Sequence, residues 1–299
     1  MINTISKTFS LLLIPALLFC ATAFDSVPAL AQQAFESPAL AAEAFVDAVA
    51  TRNKDALKTI LGDDWRDFIP IDEIREEVVE SFISAWDKTH RFKPLAYGQV
   101  QLAIGPEDWT LPIPIIMKND MWYFDTVAGG EEMRIRRIGR NELSAIQAVL
   151  AYYDAQKEYA LADRNGDGVL EYARQLVSSP GQRDGLYWPV AAGEEESPLG
   201  PLIGDDTPGV GYHGYFYKIL LVQGPLASGG AYDYEINGRL SAGFALVAWP
   251  VDYGVSGVMT FIISHDGQVF EKDFGPRTDE QARVMALFDP DSSWTEVSP

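Results

Sequence analysis

The apolar residues of this chain change their spacing twice, from a helical repeat to short extended runs. After Ser37 they recur every three or four residues as far as Trp86, and strand-like runs follow. A second helical repeat starts near Asn141 and again gives way to extended segments. Helices that precede antiparallel strands are typical of α+β proteins. The sequence therefore predicts an α+β fold with two antiparallel-sheet units, residues 32–140 and 141–299.

The first unit is predicted to contain three helices and then three strands. Ser37 and Asn53 are candidate N-caps of the first two helices, and Gly62 is expected to end the second. The predicted strands are 97–104, 109–117 and 121–126, with Asn119-Asp120 as a two-residue turn before the last. This pattern resembles the cone-shaped fold of nuclear transport factor 2 and its relatives, in which a curved sheet wraps a helix. The resemblance implies a pocket of the kind that those relatives use for a ligand or a reaction.

The second unit is predicted to open with a helix whose N-cap is Asn141. The expected apolar stripe consists of Leu143, Ile146, Leu150, Tyr153 and Ala160. Extended segments are predicted at 212–222, 240–249, 257–264 and 269–274, with Asp266-Gly267 as a hairpin turn. Thr278 and Gln281 form a candidate capping box for a last helix that reaches Phe288.

One helix, a polar loop and then an antiparallel sheet resembles the globular part of type II secretion pseudopilins and type IV pilins. Those proteins begin with a long exposed apolar helix and a special processing site. Here the corresponding helix is internal, so the resemblance implies a shared fold and not assembly into a filament.

The first 31 residues are predicted to be a secretory signal. Lys7 precedes an apolar run at 11–23, and Ala29-Leu30-Ala31 is a cleavage site of small residues. The only cysteine, Cys20, lies inside this segment. A lipoprotein would need a small residue before Cys20, where Phe19 stands. We therefore expect a periplasmic or secreted protein that lacks disulfides and thiolate metal sites after cleavage.

The formal net charge of −20 narrows the classes of partner. A field of that sign repels nucleic acid and anionic lipid headgroups, and it favours cations. No run after the predicted signal approaches the roughly 18 apolar residues of a membrane span. The composition therefore predicts no nucleic-acid binding and no transmembrane segment in the mature chain.

The segment ADRNGDGVLEY, residues 162–172, begins as calcium loops begin. Calcium prefers six to eight oxygen ligands. The predicted ligands are the side chains of Asp163, Asn165, Asp167 and Glu171 and the carbonyl of Val169. Arg174 occupies the twelfth position, where helix–loop–helix sites carry a bidentate glutamate. Calcium is the predicted cofactor, clamping the end of the helix to the chain that enters the sheet. The alternative is a turn alone, since Asn165-Gly166 and Asp167-Gly168 are both turn dipeptides.

Other polar and aromatic residues give weaker signals. His90, His213 and His265 lack the spacing of a zinc site and are expected at the surface or at strand edges. Ser228-Gly229-Gly230 is not the strand–turn–helix motif of a hydrolase nucleophile. The aromatic residues Tyr187, Trp188, Tyr212, Tyr215 and Tyr217 are expected in packing, with a binding groove as the alternative. The acids Glu194, Glu195, Glu196, Asp205 and Asp206 are expected on a solvated loop, with a second cation patch as the alternative.

Five segments together carry a resemblance that spans the mature chain. They are FDTVAGGEEMRIRRIGRNELSAIQ, DRNGDGVLEYARQL, GQRDGLYWP, GYHGYFYKILLVQG and GRLSAGFALVAWP. In this order they are similar to a bacterial exported family known as a domain of unknown function, the DUF2950 type. The resemblance implies export and gives no reaction. Because members are often encoded beside another exported protein, it also implies that neighbour as a partner.

Sequence alone favours a non-enzymatic exported protein that binds a partner or scaffolds an envelope assembly. The grounds are the lack of a nucleophile motif, a metal cluster and a cofactor loop. The alternative is an envelope hydrolase or a small-molecule binder that uses the N-terminal pocket. Converging buried polar groups in that pocket would favour the alternative, and an apolar, filled interior would favour the first hypothesis.

Overall fold

The computed structural model describes residues 32–190, 196–200 and 211–297. The predicted signal, residues 1–31, lies outside these ranges, as do Glu194, Glu195, Asp205 and Asp206. The helices are α1 (Pro38–Ala50), α2 (Lys54–Leu61), α3 (Trp65–Phe68), α4 (Glu76–Lys88), α5 (Thr126–Tyr159) and α6 (Thr278–Val284), with a 3-10 turn at Gly275–Arg277. None of these helices is long and apolar enough to cross a membrane.

Seventeen strands accompany these helices in the described residues. The first nine are β1 (His90–Ala96), β2 (Gln99–Ile104), β3 (Trp109–Thr110), β4 (Ile115–Lys118), β5 (Met121–Phe124), β6 (Gln175–Val177), β7 (Gly185–Tyr187), β8 (Tyr215–Leu220) and β9 (Val222–Gln223). The others are β10 (Tyr232–Asp233), β11 (Glu235–Ile236), β12 (Arg239–Leu240), β13 (Ala245–Pro250), β14 (Thr260–Ser264), β15 (Val269–Lys272), β16 (Leu287–Phe288) and β17 (Thr295–Val297). Mixed helix and largely antiparallel sheet confirms the α+β class.

The N-terminal sheet has the antiparallel order β1-β2-β4-β5, with β3 paired to β2. The predicted caps of the helices beside it are confirmed. Ser37 Oγ accepts from Leu40 N at 3.2 Å, and Asn53 Oδ1 accepts from Ala56 N at 3.1 Å. Gly62, with φ 94°, ends α2. A first hydrophobic core forms between these helices and the sheet; its largest buried side chains include Phe45, Leu57, Trp65 and Phe124.

Several predicted strand boundaries in this unit are wrong. The predicted strand 109–117 divides into β3 and β4, because Pro112 and Pro114 lack the N–H that a continuous strand needs. Strand β2 starts at Gln99 and not at 97, and β1 was not predicted. Strand β5 ends two residues before the predicted 126. The Asn119-Asp120 turn is confirmed, with φ of 52° and 60° at its two residues.

The prediction that Asn141 caps a helix is wrong. Helix α5 begins at Thr126, and Asp125 Oδ1 accepts from Ala128 N at 3.1 Å as its cap. The glycine- and charge-rich stretch before Asn141 joins the helix for tertiary reasons. A Cβ at Gly129 would lie 2.9 Å from Cγ1 of Ile113, so glycine permits the close approach of α5 to the first sheet.

The buried stripe of α5 also differs from the predicted one. It runs through Ala145, Val149, Tyr152, Gln156 and Tyr159. Of the predicted stripe, Leu143 is 65% exposed, and the other four residues are half-buried. This part of the helix carries apolar side chains on several of its sides. The small alanines face the sheet because they allow close packing.

The C-terminal sheet has the antiparallel order β17-β15-β14-β13-β8, and α5 packs on its central strands. Buried residues from this helix and sheet form a second core. Smaller pairings complete the described part: β6 with β7, β11 with β12, and β9 between β10 and β16. The predicted segments 212–222 and 240–249 each divide into two strands, and 257–264 is strand only from Thr260. The Asp266-Gly267 turn lies between β14 and β15, with φ 83° at Gly267.

The predicted capping box of the last helix is wrong. The Thr278 hydroxyl donates to Gly275 O at 2.7 Å, and Gln281 Nε2 donates to Phe274 O at 3.4 Å. Helix α6 ends at Val284, and Phe288 lies in β16. The preceding 3-10 turn supplies these carbonyl acceptors, so the two side chains bond backward to the turn instead of to the N-terminal N–H groups of the helix.

The predicted division of the chain near Arg140 falls inside α5. Buried residues nevertheless form two clusters, one within residues 35–124 and the other within 145–288. The first part of α5 lies between them in sequence. The division into residues 32–140 and 141–299 stays a prediction, with a continuous helix across its boundary.

Candidate functional site

The N-terminal unit contains an open apolar cavity of about 460 Å³. Its inner wall is formed by Phe45 and Val49 of α1, Val79 of α4, Ile104 of β2, and Leu111. These five side chains are at least nine-tenths buried. Among the described lining residues, only Ser81 has a hydroxyl, amide or charged side chain, and its hydroxyl donates to Glu77 O within the helix at 2.7 Å. The lining therefore offers van der Waals contact and no polar side chain aimed inward.

The cavity exists because α4 does not close onto the sheet. Val79 is the only buried residue in this 13-residue helix, although Phe82 and Ala85 follow it at helical spacing and Ile74 lies just before the helix. These side chains are half-buried and line the cavity. An amphipathic helix normally covers its apolar face against the core. Here part of that face meets an open space.

Aromatic side chains lead from the cavity floor to its mouth. Phe45 contacts Phe82 edge-to-face with ring centroids 6.4 Å apart, and Phe82 contacts Trp109 in the same way at 6.4 Å. Trp109 is 48% exposed, and Val78 on the facing helix is 49% exposed. Half-exposed large apolar side chains at the entrance of an apolar pocket are a feature of ligand and partner sites.

The loop that was predicted to bind calcium is ordered by its own side chains. Asp163 Oδ1 accepts from Gly166 N at 2.8 Å, and Asp163 Oδ2 accepts from Gly168 N at 2.8 Å. Both oxygens of this carboxylate therefore bind backbone N–H groups. The hydrogen bond from Gly168 is the largest effect that lowers the pKa of Asp163 below its usual 3.8.

Three of the predicted ligand side chains are brought together. Asn165 Nδ2 donates to Glu171 Oε1 at 2.7 Å and to Asp167 Oδ2 at 3.2 Å. Asp167 Oδ2 also accepts from Arg239 Nε at 2.9 Å. The hydrogen bond from Arg239 is the main cause that lowers the pKa of Asp167, whereas burial, followed by the charge of Asp167, raises the pKa of Glu171. The amide of Asn165 thus bridges the carboxylates of Asp167 and Glu171.

The surroundings of this loop bear on its fit to calcium. Within the described ranges, no group of three or more His, Cys, Asp or Glu side chains is gathered so that it could hold a metal. A calcium ion would therefore need Asn165 to turn its amide oxygen inward. Arg239 already gives Asp167 a positive partner, and the adjoining polar depression is also lined by Arg164, Arg174 and Arg183. The residue types fit calcium, and binding would compete with Arg239.

Comparison with known proteins decides the family. The family model described as "Protein of unknown function (DUF2950)" matches residues 32–297. This chain belongs to that family. No curated protein and no solved structure matches it. The resemblances to the nuclear transport factor 2-like and pilin folds thus stay predictions, and membership in the DUF2950 family carries no reaction.

The histidines of this DUF2950 protein have different environments. His90 stacks on Trp86 with ring centroids 3.6 Å apart, and its Nδ1 lies 3.0 Å from Trp86 O. His213 is exposed at a positive φ of 50°. His265 Nε2 lies 3.1 Å from the Tyr232 hydroxyl. His90 is also exposed, and His265 is half-buried directly after the end of β14.

The remaining candidates of the DUF2950 chain take part mainly in packing. Trp188 and Tyr215 are buried in the second core, and the Tyr215 hydroxyl donates to Met259 O at 2.9 Å. Tyr187, Tyr212 and Tyr217 are half-buried. The carbonyl of Ser228 accepts from Gln223, which makes Ser228-Gly229-Gly230 a hydrogen-bonded turn.

Sequence reasoning missed the polar residues that hold α5 in the DUF2950 fold. Gln156 is fully buried and bonds to both backbone groups of Ala173. Glu142 Oε1 accepts from Val258 N at 2.9 Å and from Met259 N at 3.0 Å. Asn141 donates to Ser256 O at 2.7 Å. A polar residue on the inward side of a predicted helix indicates a buried hydrogen bond. It does not identify the backbone group that accepts or donates that bond.

Proposed function

We propose that this protein is an exported, non-enzymatic binding protein that holds apolar side chains of another envelope protein in its N-terminal cavity. The observation that carries the proposal is the cavity between α1, α4 and β2, with its apolar lining and half-exposed mouth. Burial of apolar surface supplies affinity without catalytic groups. The proposal of export is supported by the predicted secretory signal in residues 1–31.

The lining of the cavity favours binding over hydrolysis at this site. A hydrolase needs a nucleophile, a base and donors for the developing charge within reach of one another. Ser81, the one described lining residue with a hydroxyl, amide or charged side chain, bonds back to its own helix. A small-molecule binder remains the second candidate, because a volume of about 460 Å³ lies within the usual range of ligand pockets.

We also propose that the 163–171 loop takes up calcium and stabilises the fold. Support comes from the mutual contacts of Asn165, Asp167 and Glu171 and from the net charge of −20. In this scheme the ion replaces Arg239 at Asp167. Millimolar affinity suffices, since extracellular modules bind calcium at roughly 10⁻⁴ to 10⁻³ M.

Titration with a neutral fluorescent probe, N-phenyl-1-naphthylamine, tests the cavity. Val79→Phe and Ala85→Leu both add side-chain volume at the cavity lining, and we expect each to weaken probe binding about tenfold or more. Val127→Phe adds the same ring as the first variant at a position in α5 that is 85% exposed, and it should leave binding unchanged. Unfolding midpoints identify any variant that fails to fold. Equal affinity in all four proteins, or no binding to the parent, would sink the proposal.

A further inference from the structure

The apolar cavity lies against an acidic surface on the outer side of α4. Two shallow depressions adjoin the cavity through the shared lining residues Val79 and Ala85. We name the four carboxylates along them the α4 acidic surface; they are Glu76, Glu77, Glu80 and Asp87. All four residues are exposed. The α4 acidic surface therefore borders the cavity on the side of this helix.

Two basic residues, Arg52 and Lys88, line the same depressions as these carboxylates. Across the described part of the chain, none of the four carboxylates forms a salt bridge. The nearby Arg52 donates to Ile71 O at 2.7 Å and to Ile74 O at 3.0 Å, so its guanidinium is directed to the backbone.

Glu76 and Glu77 lie in the first turn, where the helix dipole favours acids, but the other two acids lie at positions that do not favour the helix. Glu76 and Glu80 are four residues apart, a spacing at which like charges destabilise a helix. Asp87 lies in the last turn, where the helix dipole disfavours a negative charge. Helix formation therefore does not account for Glu80 and Asp87. A positively charged ligand at this surface would relieve both repulsions.

The geometry points to an amphipathic, basic segment of a partner polypeptide as the occupant of the cavity. Its apolar side chains would enter between Val79 and Trp109, and its lysines or arginines would meet the α4 acidic surface. Segments of this kind bind apolar grooves through side chains at three- and four-residue spacing. Charge complementarity at the α4 acidic surface sets the specificity and speeds association. The inference rests on the proposed binding function and adds the chemistry of the partner.

Electrostatics separate this occupant from the other classes. Phospholipids and fatty acids present an anionic group at the end of their apolar chains, and the α4 acidic surface repels it. A second copy of this chain also carries a net charge of −20, which opposes its approach. A basic polypeptide segment is favoured by both the cavity and the α4 acidic surface.

Three labelled model peptides test the inference on the purified protein in 0.15 M salt. They share one helical leucine pattern and carry lysine, glutamine or glutamate at the other positions. By fluorescence anisotropy, we expect the lysine peptide to bind at least tenfold more tightly than the glutamine peptide, and the glutamate peptide to bind most weakly. Val79→Phe should abolish the binding of the lysine peptide.

Matched double variants separate the effect of the α4 acidic surface from general attraction to an acidic protein. Glu77→Gln with Glu80→Gln should reduce the preference for lysine over glutamine several-fold. Glu280→Gln with Glu296→Gln removes the same charge at two exposed positions in α6 and β17 and should leave the preference intact. An equal loss in both double variants would overturn the inference, because it would mean non-specific attraction.

Other outcomes are also decisive. Equal affinity for the lysine and glutamine peptides would overturn the charge inference while the cavity proposal stands. Failure of the parent protein to bind the neutral probe would instead overturn the proposed function. Tighter binding to vesicles of anionic phospholipid than to the lysine peptide, or self-association that Val79→Phe abolishes, would assign the cavity to a different occupant and reject the inference.

Discussion

The side chain of Gln156 is hydrogen-bonded to both backbone groups of Ala173. Its Oε1 accepts from Ala173 N at 2.8 Å, and its Nε2 donates to Ala173 O at 2.8 Å. Gln156 belongs to α5, and Ala173 comes two residues after Glu171, where the chain leaves the 163–171 loop. A buried neutral amide therefore makes the connection between helix and following chain that the sequence assigned to an ion.

Replacement of Gln156 by leucine should destabilise the fold strongly. The change leaves the N–H and C=O of Ala173 buried without their partner, at about 1–3 kcal/mol for each group. Urea denaturation should show a lower midpoint at an unchanged m-value. Gln147→Leu, at an exposed position of the same helix, is the matched control and should change the free energy of unfolding by less than about 0.5 kcal/mol. Similar losses in both variants would contradict the role of Gln156.

Glu142 should be important for the connection between β13 and β14. Its Oε1 accepts from two consecutive backbone N–H groups, Val258 and Met259. Glu142→Ala should cost about 1–3 kcal/mol in the free energy of unfolding, and Glu142→Gln less, because the amide oxygen can still accept. Glu158→Ala, an exposed change in the same helix, serves as the control. Amide hydrogen exchange at residues 258–259 measures the local effect; unchanged exchange in Glu142→Ala would reject it.

Calcium should raise the melting temperature of the protein by several degrees, and chelator should reverse the rise. Because Arg239 competes for Asp167, Arg239→Gln should enlarge the calcium effect. Arg277→Gln removes the same charge at an exposed residue of the 3-10 turn and should leave the calcium effect unchanged. Asp167→Asn should abolish the effect. A melting temperature that ignores calcium in the parent and in Arg239→Gln would leave the loop as a turn alone.

The loop should also show a defined dependence on pH. The native pKa of Asp163 lies below its usual 3.8, so its stabilising effect is complete above that value and is lost as pH falls through the native pKa. The difference in unfolding free energy between the parent and Asp163→Asn should therefore be largest near neutral pH and shrink under strongly acidic conditions. Denaturant unfolding across this range measures it. A free-energy difference between the two proteins that does not change with pH would contradict the stabilising role of the Asp163 carboxylate.

Glu171 should act in the opposite direction. Its native pKa is raised above 4.5, so ionisation costs stability as pH rises from 4.5 through the native value. In the absence of calcium, Glu171→Gln should remove this decline. Since calcium needs the ionised carboxylate, its effect on the melting temperature should weaken as pH falls through the same window.

Local signals in the sequence predicted the parts of the fold that depend on local chemistry. Ser37 and Asn53 cap their helices, and Asn119-Asp120 adopts the positive φ values of a two-residue hairpin turn. The start of α5 could not be predicted in this way. Its first turns hold Gly129 and several charged residues, and they are helical because Gly129 packs on Ile113 and Arg136 donates to Thr110 at 2.6 Å. Those partners lie outside the helix, and local helix propensity does not take such tertiary contacts into account.

The candidate site was predictable only in part. The predicted apolar positions of the α4 segment were Ile74, Val78, Phe82 and Ala85. Three of them are half-buried, whereas Val78 is 49% exposed and the buried Val79 was not among them. Nothing in that pattern gives the distance between α4 and the sheet, and that distance makes the cavity.

In the 163–171 loop, the spacing predicted that oxygens of Asp163, Asn165, Asp167 and Glu171 converge on an ion. Asn165 instead directs its Nδ2 to Asp167 and Glu171, and the spacing gave no sign of the salt bridge from Arg239, 72 residues after Asp167.

Helix α5 runs without interruption for 34 residues, about 51 Å at the usual rise per residue. Near its start Arg136 is bonded to Thr110 beside the first core, and near its end Gln156 is buried in the second. An isolated half of such a helix would be marginal in water, because most of its stability comes from packing. If either core unfolds, the helix loses packing contacts, and the helical turns that pack in the other core become less stable. We expect the two cores to melt in one cooperative transition, so that heat capacity measured by calorimetry shows a single peak.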